Sequence, residues 1–202
     1  MSRPNYMGEI KNRILSNKVG AVFVASDFTD ITDKTIANII LTRLESEGVI
    51  RRVVRGVYDK PEYNKFLKEY VAPIPDNIAH AIARNFGWTI VPCGDTALNV
   101  LGLSTQVPAK WVYVSDGTYK EYSFGNTVIQ FKRTTNKEVS NLSYKTALTI
   151  QALKALGKDK IDDAVIANLQ KLLTDKEKKA MLNEAKSATS WIYEYIKQIA
   201  RS

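Results

Sequence analysis

Three arginines, Arg51, Arg52 and Arg55, stand among valines in the string IRRVVRGV, residues 50–57. Val53, Val54 and Val57 are strand formers and Gly56 lets the chain bend, so these guanidinium groups belong to a tight two-stranded ribbon. A guanidinium is a rigid fork of donors that fits a phosphate or a guanine edge. Just before the ribbon, Lys34, Thr35, Asn38 and Thr42 recur at helical spacing and mark the outward face of a helix. An asparagine on such a helix can pair bidentately with an adenine edge in a major groove. The arginines would then hold phosphates or enter the neighbouring minor groove. The chemistry on offer is recognition of double-stranded DNA. The plain alternative is that arginine on an exposed strand is only solvated surface.

The elements that must position these groups can be read around them. Thr32 is a helix cap, Ile36, Ile40 and Leu44 form a buried stripe that Ile39 widens, and Gly48 stops the helix. Earlier, Pro4 to Ser16 reads as a first helix with Met7, Ile10, Ile14 and Leu15 inward, and Pro4 suits its first turn. Val19 to Val24 is a short apolar run able to pair with the ribbon. Ala25 to Phe28 is a brief helix opened by Ser26 or Asp27, with Phe28 and Ile31 under the helix that follows. Helix, strand, short helix, turn, longer helix and two strands is the order of a winged helix-turn-helix, placed at residues 1–65. A winged helix can also serve only as a protein contact.

Residues 66–202 read as a mixed α/β domain, giving an α+β chain overall: a small antiparallel sheet with helices, then a helical C-terminus. Tyr63 to Val71 is expected to be a short helix that Pro73 and Pro75 end, and Asp76 caps Asn77 to Phe86. His80 on that helix is a structural side chain, because spacing suggests no catalytic partner for it. Trp88 to Val91, Trp111 to Ser115, Lys120 to Phe124 and Thr127 to Thr134 are strands, with Asp116-Gly117 and Gly125-Asn126 as hairpin turns. Along the last strand Ile129 and Phe131 mark the drier face. After Ser143 the helices are Tyr144 to Leu156, Asp162 to Leu173, Asp175 to Ala185 and Trp191 to Ala200. The stripe Trp191, Ile192, Tyr195, Ile196 and Ile199 is a core face.

Composition narrows the classes. The formal net charge of the 202 residues is +8. Six of the nine arginines precede Pro61, whereas the excess of base near the C-terminus is nearly all lysine. One cysteine, Cys93, forbids an internal disulfide, and one histidine argues against a structural zinc. No apolar run spans a bilayer and the N-terminus lacks a signal-peptide core, so no membrane partner is expected and the location is cytoplasmic. The most enzyme-like string is PCGDTALNVLGL, residues 92–103. Its glycine-led turn opens a helix, but the strand WVYVS supplies no paired carboxylates for magnesium, and there is no Lys-Ser/Thr pair of a phosphate-binding loop. No catalytic residue, cofactor or metal ligand is assigned. A nucleotide-binding enzyme built around Gly94 and Asp95 is the competing reading.

EGVIRRVVRGVYDKP (residues 47–61), TALNVLGLSTQVPAK (96–110) and VIQFKRT (128–134) together resemble the AbiEi-type antitoxins of bacterial abortive-infection (type IV) toxin–antitoxin systems, which act in phage defence. The resemblance runs from Ile10 to Leu156. It implies an N-terminal winged helix that binds operator DNA and represses its own operon. It also implies a C-terminal domain that counteracts a nucleotidyltransferase-like toxin, with or without a stable complex. Separately, two copies self-associating on an inverted repeat would bind DNA more tightly, since linked sites gain effective concentration. The DNA-binding role carries onto the third helix and onto Arg51, Arg52 and Arg55. No motif carries the neutralising role, and the helices after Leu156 lie outside the resemblance.

Overall fold

The computed structural model describes residues 5–134 and 141–201. Two compact units divide the chain, Met1–Trp88 with Ser123–Asn126, and Thr89–Tyr122 with Thr127–Ser202. Both mix helices with a small sheet, and eight α-helices lie among the described residues. None of those helices is long and apolar enough to cross a membrane.

In the first unit, α1 (Tyr6–Ser16) opens from Asn5, whose side chain accepts the Gly8 N–H. Pro4, the expected start, lies outside the described residues. Ile10 and Ile14 face the core, while Leu15 is exposed. The run after it forms β1 (Val22–Val24), then a 3₁₀ turn at Ala25–Phe28. Asp27 closes that turn from within by accepting the Val24 N–H. Asp33 rather than Thr32 caps α2 (Lys34–Ser46), accepting the N–H groups of Thr35 and Ile36. The buried stripe of α2 is Ala37, Ile40, Leu41 and Leu44. This is the i, i+3, i+4, i+7 set. Ile36 and Ile39, expected inward, are 37% and 50% exposed.

The ribbon forms as expected from β2 (Arg51–Val54) and β3 (Val57–Asp59), antiparallel, with a bulge between Arg52 and Val54. Gly56 turns it at φ 77°, a conformation that favours glycine. β1 adds antiparallel to the other edge of β3, giving the order β1-β3-β2. Phe23, Phe28, Ile50 and Tyr58 fill the space between this sheet and the helices.

Tyr63 to Val71 is not the helix the sequence suggested. It is a small hairpin of β4 (Tyr63–Asn64) and β5 (Glu69–Tyr70). Asn64 is the local cause: its side-chain oxygen accepts the N–H groups of Phe66 and Leu67 and turns the chain. Phe66 is 93% exposed, so no apolar face is buried that would hold a helix here. Next, α3 (Pro75–Phe86) packs Ile78, Ala79, Ala81, Ile82 and Ala83 inward, against β1 and the 3₁₀ turn. Arg84 pairs with Asp27 at 3.0 Å and donates to the Val22 carbonyl. The first unit therefore runs to Trp88, past the expected boundary at 65.

The second unit holds β6 (Ile90–Pro92), β7 (Trp111–Ser115), β9 (Thr127–Arg133) and the start of β8 (Lys120–Phe124, in this unit as far as Tyr122), strands of one sheet in the order β6-β7-β9-β8. The sheet is mixed rather than antiparallel, because β7 and β9 run parallel, from Trp111 beside Ile129 to Ser115 beside Arg133. Asp116-Gly117 does not close a hairpin. The Asp116 carboxylate accepts the Thr89 N–H, and the Gly117 N–H donates to the Ser115 hydroxyl. Ile129 and Phe131 are buried, as their alternation predicts. The helices are α4 (Asp95–Val100), α5 (Tyr144–Leu156), α6 (Asp163–Leu172), α7 (Asp175–Glu184) and α8 (Ser190–Ala200). α5 buries every residue from Thr146 to Leu153 and is the centre of this core. Ile192, Ile196 and Ile199 of α8 join it, so that stripe is a core face.

Candidate nucleic-acid interface

The stripe that buries α2 fixes what it shows outside. With Ala37, Ile40, Leu41 and Leu44 inward, the helical period places Thr35, Asn38, Ile39, Thr42 and Ser46 outward. Lys34, Thr35, Asn38 and Thr42 are all exposed. Thr42 is restrained: its hydroxyl donates to the Asn38 carbonyl at 2.9 Å and lies 3.4 Å from the Tyr58 hydroxyl. Asn38 and Lys34 have no side-chain hydrogen bond or ion pair among the described residues, so their polar groups remain available. Two further residues share the exposed part of this helix. Arg43 is exposed without a partner among the described residues, and Ile39 stands beside Asn38 and Thr42. Sequence reasoning passed over Arg43 and buried Ile39. The signal that would have found them was the Ala37-Leu41 pair, which rotates the apolar stripe by one position.

The three ribbon arginines separate into different environments. Arg51 makes a two-pronged ion pair with Asp59, directly across the ribbon, and also donates to the Val71 carbonyl at 3.0 Å. Asp59 is only 2% exposed. A carboxylate that deep must be paired, and Arg51 is its partner, which leaves little of that guanidinium for an external phosphate. Arg52 lies over the Tyr58 ring, 5.4 Å from its centroid, and reaches Glu45 at 3.3 Å. The Glu45 contact is a surface contact and easily exchanged. Arg55 sits at the exposed turn with no partner among the described residues.

Other N-terminal cations are also bound internally. Arg13 pairs with Asp30 and stacks on Phe28. The hydrogen bond to Asp30 raises the Arg13 pKa and lowers that of Asp30. Lys60 donates to the Leu15 and Asn17 carbonyls, and Lys11 pairs with Glu47. Part of the arginine enrichment before Pro61 is therefore bracing.

His80 has a partner that spacing did not suggest. Asp76, one turn earlier on α3, lies 3.7 Å from its Nε2. No group of three or more potential metal ligands occurs among the described residues.

A mixed α/β chain of two units, with an exposed polar helix face beside an arginine-bearing ribbon, is the class defined so far. The family model described as Family of unknown function (DUF6088) matches residues 9–181, and the chain belongs to that family. No curated protein matches it.

Proposed function

We propose that the first unit is a winged helix that binds duplex DNA. α2 enters the major groove with Thr35, Asn38 and Thr42 toward base edges, and Arg55, Arg52 and Lys34 reach phosphates. The observation that carries this reading is the outward face of α2, where Lys34, Thr35 and Asn38, without side-chain partners among the described residues, stand next to a ribbon ordered β1-β3-β2. Arg51 drops out of the contact set because Asp59 holds it. Ile39 fits the same surface, since an apolar group can meet a thymine methyl.

Sequence-specific binding is tested by fluorescence anisotropy, with a duplex from the region upstream of the protein's own coding frame and a scrambled duplex of equal length. Asn38→Ala should cost about 1–3 kcal/mol on the preferred duplex and relax one base position. Equal binding of both duplexes, unchanged by that substitution, rejects the assignment.

A second reading, a winged helix that contacts protein, is favoured by the exposure of Ile36 and Ile39. Ile36→Lys separates the two. Added charge should disrupt an apolar protein contact but leave DNA binding intact or tighter.

The wider role is a proposal that rests on the resemblance given above: a cytoplasmic antitoxin that represses its operon and counteracts a nucleotidyltransferase-like toxin. Its test is co-expression with the neighbouring frame. Growth arrest by that frame alone, relieved by this chain, is the expected outcome. A neighbouring frame with no effect on growth rejects it.

A further inference from the structure

We propose that the β4–β5 hairpin is a self-association surface, and that its tip residue Phe66 seats in a pocket at the hairpin base of a second copy of this chain. Phe66 is 93% exposed, and Tyr63, Leu67, Tyr70 and Ile74 are each exposed by half or more. An apolar patch gathered on one hairpin marks a contact surface. The turn itself does not call for apolar residues, since turns favour Gly, Pro, Asn, Asp and Ser. Its backbone nevertheless holds Phe66 and Leu67 outward. The Asn64 side chain accepts both their N–H groups, and Lys68 takes φ 55°, in the left-handed region that favours glycine. A two-stranded hairpin is marginal in water by itself, so a contact that covers the patch also stabilises the hairpin.

The receiving pocket lies in the same unit. It holds about 300 Å³ and is lined by Gly48, Ile50, Pro61 and Tyr70, with Glu45, Arg51 and Arg52 supplying charge. A cavity of about 150 Å³ already holds a benzene ring. Arg51 pairs with Asp59 and Arg52 with Glu45, so a ring can enter without stripping any of these charges of its partner. A guanidinium also offers its face to an aromatic ring. Phe66 of the same chain stands in solvent and does not line the pocket. Tyr70 joins the two features, because it lines the pocket and packs edge-on against Tyr63 at 5.2 Å. Knob and hole thus belong to one hairpin, which is the condition for a closed two-fold contact.

Charge selects a second copy over DNA or an anionic membrane. The hairpin carries Lys65 and Lys68 at its tip and Glu62 and Glu69 behind them, and all four are exposed with no ion pair among the described residues. Two lysines and two glutamates leave no net charge, whereas a polyanion or an anionic bilayer selects an excess of base. In a two-fold contact the tip of one hairpin lies against the base of the other, and lysines meet glutamates. Size sets the strength. Aromatic side chains bury about 150–250 Å² each, so the patch supplies on the order of 500 Å² per copy, short of the roughly 800 Å² of a standard interface. The dimer is therefore weak, with a dissociation constant of about 10 µM or more. This inference does not rest on DNA binding by the first unit.

The full chain is followed by sedimentation velocity from about 1 to 300 µM at fixed ionic strength. The sedimentation coefficient of wild type should rise with concentration toward that of a dimer. Phe66→Ser should weaken association about tenfold or more. Its thermal melt should match that of wild type, because the ring is solvent-exposed in the single chain. Exchange of charge supplies the second arm. Lys65→Glu with Lys68→Glu makes a wholly acidic hairpin, and Glu62→Lys with Glu69→Lys a wholly basic one. Each double variant alone should stay monomeric, and their equimolar mixture should associate at least as tightly as wild type. A wild type monomeric at every concentration, or a Phe66→Ser variant that associates equally well, overturns the proposal. So does a mixture that sediments as the sum of its two parts. A monomeric chain whose affinity for duplex DNA falls on Phe66→Ser overturns it too, and gives the tip to the nucleic acid instead.

Discussion

Arg51 and Arg55 are four residues apart on one ribbon and act on different quantities. Arg51→Ala leaves Asp59 buried without its partner, which should cost about 2–3 kcal/mol in urea unfolding. Arg55→Ala should leave unfolding unchanged and lower the slope of log affinity for DNA against log salt by about 1. A variant of Arg51 with normal stability would show that the Asp59 pair contributes nothing. Thr149 on α5 offers a test of opposite sign. Its hydroxyl is buried and has no hydrogen-bond partner among the described residues. Thr149→Val keeps the shape and removes the unsatisfied group. The urea midpoint should rise, by about 1 kcal/mol of stability. A fall would mean that the hydroxyl is satisfied in solution.

At the scale of elements, the start of α5 is tied to α7. The Glu184 carboxylate accepts from the Ser143 N–H at 2.9 Å and its hydroxyl at 2.7 Å. Burial pushes the Glu184 pKa up, but the hydrogen bonds from Thr146 and Ser143 prevail and hold it below the ordinary value of 4.5. A carboxyl depressed in the folded state adds stability that is fully present above its unfolded pKa. That contribution is lost as pH falls through the folded value. Wild type should therefore exceed Glu184→Gln by about 1 kcal/mol at neutral pH. The gap should narrow as pH falls below 4.5, read from paired denaturation curves. A gap constant with pH would assign the effect to packing. The β4–β5 hairpin makes the complementary point about elements. Asn64 diverted the chain with two local hydrogen bonds, and no apolar face was there to favour a helix instead.

For the whole molecule, the decisive feature is that α3 belongs to the first unit. A fragment ending at residue 65 leaves the α3-facing side of β1 and the Asp27 carboxylate uncovered. One ending at Trp88 keeps both. The longer fragment should unfold cooperatively and retain DNA affinity, while the shorter should show a broad transition and weaker binding. Circular dichroism melts with anisotropy titrations decide it, and equal behaviour of the two fragments would show that α3 is dispensable. On the antitoxin reading proposed above, neither fragment should relieve growth arrest by the neighbouring frame, because the whole second unit is missing. Rescue by either one would move that role into the first unit.

Local signals in the sequence were enough for the α1, α2 and α5 helices, the ribbon with its Gly56 turn, the pairing of the run before it, and the drier face of β9. Each depends on apolar periodicity or turn chemistry within a dozen residues, which the chain carries in its own order. The rotation of α2 was also legible, in Ala37 and Leu41, but alanine is weakly apolar and the larger isoleucines drew the stripe the wrong way. Four features were settled only in three dimensions: the parallel pairing of β7 with β9, the tie between Arg51 and Asp59, the packing of α3 on β1, and the meeting of Pro61 and Tyr70 with Gly48 and Ile50 around one pocket. They depend on which distant segments become neighbours. A strand's sequence does not name its partner, and a charge shows whether it is braced or available only when its surroundings are folded around it.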